Sequence, residues 1–166
     1  LRTIPKIKID DDARSAIMHA DMIVLGPGDL YTNTIANLVV SGVSEAIKNS
    51  MAKVVFVMNL MSRAGETYNY KSSDFLEDLS KYIDPDRLDF VVQNIETSGS
   101  PAVLKKYKDE GSSPVLDDLG ENWHKAKVIR ARLRSSHKPI LAKADSLPRS
   151  MVRHDPELLA KVIYGI

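Results

Sequence analysis

Gly26-Pro27-Gly28-Asp29-Leu30-Tyr31-Thr32-Asn33 is the stretch of this chain best suited to hold an anion. Glycine permits a sharp turn and proline bars regular ladder pairing, so the apolar, β-branched run Met22 to Leu25 must end here as a short buried strand. Asp29, Thr32 and Asn33 are residue types that cap helix N-termini, and an apolar helical pattern begins at Ile35. Strand, glycine turn and helix start in this order present outward N–H groups and the positive end of a helix dipole. No lysine follows the glycines and the third glycine is missing, which excludes the P-loop and the dinucleotide fingerprint. A phosphate or carboxylate site and a plain tight βα turn both remain, and spacing alone does not separate them.

A second candidate is the polar loop Asn59 to Tyr70, which follows the all-apolar run Val54-Val55-Phe56-Val57. Such runs belong to parallel strands covered on both faces. The loop exceeds the ~2–6 residues usual for a βα connection. Both loops leave the carboxyl end of a strand, the end at which open α/β sheets bind ligands, so both are predicted to face one crevice. Asn59 either contacts a base or sugar or closes an Asx-turn. Glu66 and Thr67 either shape the loop or touch a hydroxyl.

Around these loops the chain alternates strands and helices, which defines an α/β class with a mainly parallel sheet. Asp10 caps a helix with an acidic first turn at Asp11-Asp12; the same three carboxylates could be mistaken for a metal cluster. Ser41-Gly42 interrupts a helical run, which predicts a kink or two consecutive short helices, Ser72-Ser73-Asp74 opens the next helix, and Leu88 to Val92 is a third strand. Ser100-Pro101 and Asp155-Pro156 each start a helix with proline at its first position. Leu1 to Ile9, Val115-Leu116, Val128 to Leu133 and Pro139 to Ala142 read as further strands or strand ends. Trp123 reads as packing and His124 as surface, while Lys105, Lys106 and Lys108 read as a solvated face.

A chain of 166 residues fits one α/β domain, residues 1–166, with a sizeable core. Its net charge of +1 calls for neither nucleic acid nor an acidic membrane surface. The absence of cysteine removes disulfides, thiolate metal sites and cysteine nucleophiles, and fits an intracellular protein. No apolar run approaches the ~20 residues of a membrane span, and no signal peptide is visible.

Three stretches together resemble the CofD-like family, and within it the YvcK branch, the gluconeogenesis factors. The first is Ala20-Asp21-Met22 through Gly26-Pro27-Gly28-Asp29-Leu30-Tyr31-Thr32, with Asn37-Leu38 after it. The second is Asn59-Leu60-Met61-Ser62-Arg63-Ala64-Gly65-Glu66-Thr67, with Ser73-Asp74 following. The third is Arg153-His154-Asp155-Pro156-Glu157-Leu158-Leu159-Ala160. The resemblance covers nearly the whole chain but only the C-terminal half of the family's domain, and the family's glycine-rich first loop has no counterpart here.

What the resemblance implies is a three-layer, Rossmann-like α/β/α protein that binds a nucleotide diphosphate. On the YvcK side this is a UDP-activated sugar, notably UDP-N-acetylglucosamine, held by a cytoplasmic homodimer. Such a protein would regulate central carbon metabolism and cell-wall or cell-shape homeostasis, with no nucleic-acid or membrane partner. The alternative is a 2-phospho-L-lactate transferase of deazaflavin coenzyme biosynthesis, dependent on Mg²⁺. The ligand contacts expected on either reading are Gly26, Pro27, Gly28, Asp29, Tyr31, Thr32 and Asn33 from the first loop, and Asn59, Met61, Glu66 and Thr67 from the second. Asp29 stands where the family usually has serine. A carboxylate there would repel a diphosphate unless it caps the helix or holds Mg²⁺, a cation with hard oxygen ligands. Arg63 and Ala64 replace glutamine and proline, and Arg63 either adds a bidentate phosphate partner or is solvated. His154 reads as structural, since it precedes the Asp155 cap.

Overall fold

A computed structural model of the chain describes residues 1–96, 99–136 and 151–166. Five strands form one sheet in the order β1 (Met22–Leu25), β2 (Lys53–Val57), β3 (Phe90–Asn94), β5 (Ala126–Ala131) and β4 (Asn122–Trp123). The first four in that order are parallel, and β4 closes the edge antiparallel. Leu25 lies beside Phe56 and Val57 beside Val92, so the loops after β1 and β2 emerge together at the carboxyl edge.

Alternate residues of β2 serve two cores, as the period of a pleated strand requires. Val54 and Phe56 join Ile47 of α3 (Val43–Asn49) and Phe75, Leu76 and Leu79 of α4 (Ser72–Ser80) in the larger cluster. Val55 and Val57 pack on the other face with Leu159, Val162 and Ile163 of α6 (Pro156–Tyr164). Helices on both faces make the three layers α/β/α. The helix α1 (Asp11–His19) is capped by Asp10, whose carboxylate accepts from Ala13 N–H at 2.8 Å, which is the role read for the acidic triplet. Ser41-Gly42 separates the short α2 (Ala36–Leu38) from α3, with Gly42 at φ +98°. Pro101 and Pro156 sit in the first turns of α5 (Pro101–Asp109) and α6, behind caps from Ser100 and Asp155.

Several boundaries move. The third strand starts two residues late because Asp89 closes the gap itself: its N–H donates to Val54 O and its carboxylate accepts from Val54 N–H at 2.7 Å. Helix α4 is capped one residue early, at Lys71, whose N–H donates to the Asp74 carboxylate at 2.8 Å. Residues 1–9 contribute a single bridge, Lys8 to Ser41, rather than a strand. Val115 donates its N–H to Leu60 O and Leu116 accepts from Ser72, so this pair braces two loops instead of joining the sheet. The edge strand expected at Pro139 to Ala142 lies outside the described residues. Among the described residues no helix is long and apolar enough to cross a membrane.

Candidate ligand-binding site

Gly26 carries the turn that ends β1. Its φ is +85°, and a Cβ there would lie 3.1 Å from the Val57 carbonyl, so only glycine fits between the strand and its neighbour. The Gly26–Pro27 peptide is cis. The chain then enters a helix five residues earlier than the apolar pattern announces, and its first turn, Leu30–Ile35, is wound as a π-helix before passing into α2. The carbonyl of Asp29 accepts from both Asn33 and Thr34 N–H, at 3.0 and 3.1 Å.

The π-turn is held from its buried side. The Tyr31 hydroxyl donates to Asp78 of α4, which also accepts from Tyr70 at 2.7 Å and from Lys81. Burial pushes the Asp78 carboxyl up, but the bonds from Lys81, Tyr31 and Tyr70 outweigh it and hold it below the usual range. Burial and the same carboxylate push the Tyr31 phenol far up. Tyr31 therefore serves the core and not the ligand face.

At the helix start Asp29 makes no capping bond. Its amide faces the side chain of Asn33, which, turned to suit its neighbours, accepts from Asp29 N–H at 3.3 Å and donates to Thr32 O. The N–H groups of Leu30, Tyr31 and Thr32 have no acceptor among the described residues. These are the donors an anion would use.

The second loop meets this corner at three points. Asn59 Nδ2 donates to Gly28 O at 2.9 Å, Thr32 Oγ1 donates to Glu66 Oε1 at 3.4 Å, and Arg63 forms an ion pair with Asp29. Thr67 is buried and shapes the loop, accepting from Arg63 N–H at 3.0 Å and donating its own N–H to Arg63 O. Residues 112–115 brace the loop from behind: Ser62 N–H donates to Ser113 O at 2.7 Å, and Met61 pairs with Pro114.

Together the two loops line an open cleft of about 580 Å³. Pro27, Gly28, Asp29, Asn59 and Met61 stand in its wall, as expected from the sequence. Gly26, Tyr31, Thr32, Asn33, Glu66 and Thr67 do not; they build the corner behind it. The remaining wall holds groups that sequence reasoning does not place there, namely Tyr107 of α5, Glu110 at its C-terminal cap, Ser112, Val152, Arg153 and His154. Tyr107 fastens this wall, its hydroxyl accepting from Met151 and Val152 N–H at 3.0 and 3.2 Å. Of these, His154 is the one whose motif carries a signal. Burial pushes its imidazole down to about 4, against an opposing hydrogen bond to the Met58 backbone, so it is a neutral polar group at pH 7. Its Nε2 is buried with no partner among the described residues.

Asp29 does not cap its helix, and Arg63 engages its carboxylate. Among the described residues no three His, Asp or Glu side chains come together as a metal site. Magnesium is ordinarily held by one or two carboxylates together with substrate phosphates, so Asp29 could serve it only once released from Arg63, with Glu110 the other carboxylate of the cleft lining.

A mainly parallel sheet between helical layers, with two strand-end loops along one cleft, defines a Rossmann-like α/β fold. The chain belongs to the CofD family: the family described as "2-phospho-L-lactate transferase CofD" matches residues 2–134. It is 40% identical over 117 residues to the gluconeogenesis factor of Halalkalibacterium halodurans, covering 69% of this chain and 34% of that one. A Thermotoga maritima protein to which the same name is provisionally given is 40% identical over 151 residues, covering 91% and 45%. A crystal structure of a Bacillus halodurans protein superposes with a TM-score of 0.81 at 30% identity, over 95% of this chain and 47% of that one. A second structure from that organism, described as a member of the UPF0052 family, gives 0.78 at 31%. The chain spans about half the length of the relatives it matches over most of its own length.

Proposed function

We propose that the cleft binds a nucleotide diphosphate, in the form of a UDP-activated sugar such as UDP-N-acetylglucosamine, and that the protein is a metabolite-binding regulator. The observation that carries this reading is the Asn59–Gly28 hydrogen bond of 2.9 Å, which joins the Gly-Pro-Gly corner to the Asn59–Thr67 loop along one cleft. Arg153, and Arg63 once released from Asp29, would offer guanidinium groups to a diphosphate from the cleft lining, and Asn59 and His154 offer neutral polar atoms for a sugar or base. The likeness to gluconeogenesis factors supports a role in regulating central carbon metabolism and cell-wall or cell-shape homeostasis. A cytoplasmic homodimer belongs to the same proposal.

Isothermal titration of the full-length protein with UDP-N-acetylglucosamine, UDP and GDP tests the reading. Saturable binding of the uridine ligands in preference to GDP supports it. Preference for GDP, with turnover that requires Mg²⁺ and a deazaflavin acceptor, would instead favour the group transfer that the family description names.

A further inference from the structure

Asp29 and Arg63 form an ion pair between the two loops, 34 positions apart in the chain. The pair is oddly directed. Asp29 stands at the N-cap position, where an aspartate ordinarily turns its carboxylate onto the first amides of its helix. Here it makes no such bond and reaches to Arg63, while the N–H groups of Leu30, Tyr31 and Thr32 go without an acceptor among the described residues. Both side chains line the cleft. The carboxylate thus occupies, at the guanidinium, the position an incoming anion would take.

We propose that this pair is an internal counter-ion latch that sets which anions the cleft accepts. Asp29 neutralises Arg63 in the free protein, and a ligand takes Arg63 over by displacing Asp29. The proposal rests on the reading that the cleft holds a nucleotide diphosphate. Asp29 and Arg63 are 28% and 57% exposed, so water screens the pair and it is worth a factor of about five at most. A diphosphate brings several oxygens and more than one charge, meets the planar guanidinium fork bidentately and overcomes that factor. A ligand of single charge gains too little to do so, which makes the latch a filter in favour of diphosphates. A latch differs from simple repulsion of the ligand by Asp29: it acts through Arg63 and vanishes without it.

The test is calorimetric titration of the full-length protein with UDP, for wild type, Asp29→Asn, Arg63→Gln and the double variant, each checked for folding by its thermal melt. The latch predicts that D29N binds UDP about threefold to fivefold tighter, that R63Q binds at least fivefold weaker, and that D29N has less than a twofold effect once Arg63 is gone. D29S reads the same quantity should D29N fail to fold. Weaker or unchanged binding by D29N, or an equal gain with and without Arg63, overturns the latch while wild-type UDP binding leaves the ligand reading intact. Absence of UDP binding in all four proteins overturns both.

Discussion

Asn59 at the end of β2 donates its side-chain amide to the carbonyl of Gly28 at 2.9 Å, and this bond joins the two strand-end loops into one wall. The residues are 31 apart in the chain but adjacent across the sheet, because β1 and β2 are parallel neighbours in register. Replacing Asn59 by alanine removes a part-buried donor and leaves the carbonyl without it, which costs about 1 kcal/mol of stability. Because the loops then move independently, N59A should also weaken UDP-N-acetylglucosamine binding about tenfold by calorimetry. Unchanged affinity would show that the ligand does not depend on the joined loops.

Gly26 offers a test of the turn itself. At φ +85°, with the Val57 carbonyl 3.1 Å from where an alanine methyl would lie, G26A meets both backbone strain and a tight contact. A loss of about 2 kcal/mol in urea unfolding is expected, from the left-handed conformation plus the crowding. G65A, where a Cβ meets nothing within 4 Å, keeps the strain without the crowding and should cost about half as much.

The buried Tyr31–Asp78–Tyr70 network fixes the π-turn. Asp78 is 10% exposed and accepts from three side chains, so D78A strands two part-buried phenols, while the exposed Lys81 turns to water, and should cost about 2 kcal/mol. Y31F removes one donor of several and should cost about 1 kcal/mol. Equal effects of the two variants in chemical denaturation would mean that Asp78 is not the hub.

Acid stability should carry the mark of His154. Folded, it stays neutral down to about pH 4; unfolded, it takes its proton near 6.5. Between those values the unfolded chain binds more protons, so stability rises with pH through the window from 4 to 6.5. The full shift corresponds to roughly 3 kcal/mol. Asp78 works in a separate window: its folded value is depressed, so its contribution is present above its ordinary value of 3.8 and is lost as pH falls below it. H154Q should therefore flatten the melting-temperature profile between pH 4 and 6.5 relative to wild type and leave the steeper acid loss. An unchanged slope in the upper window would refute the assignment.

The parts of the fold legible from sequence are those where local pattern and tertiary role agree. Val54 to Val57 is a continuous apolar run and becomes the buried centre of the parallel sheet, whereas Met22 to Leu25, expected as a buried strand, forms its edge with Val24 exposed because only β2 flanks it; Asp155-Pro156 opens α6 because cap and first-turn proline act locally. The Gly-Pro-Gly corner and the Asn59 loop are recognisable for the same reason, and their meeting follows from parallel topology. The π-turn is not legible, since its cause is the Tyr31–Asp78 bond, and Asp78 in sequence is one more acid on an amphipathic helix. Gln93 and Asn94 look like a strand's polar end, yet both are buried in β3: Gln93 accepts from Ser72 Oγ at 2.9 Å and Asn94 from Leu133 N–H at 3.0 Å. The rest of the cleft lining escapes sequence reasoning because Tyr107, Ser112 and His154 come from three separate stretches, and only His154 lies in a recognisable motif, where it reads as structural beside the Asp155 cap. Asp29 and Arg63 each stand out singly, but their pairing is a fact of three dimensions.

Amide hydrogen exchange of the full-length protein, with and without saturating UDP-N-acetylglucosamine, tests the shared cleft most directly. Ligand should slow exchange together in residues 28–33, 59–63 and 152–154, with little change along β4. Saturable binding that leaves the first two segments unprotected, or protects only one of them, would contradict a single site built from both loops.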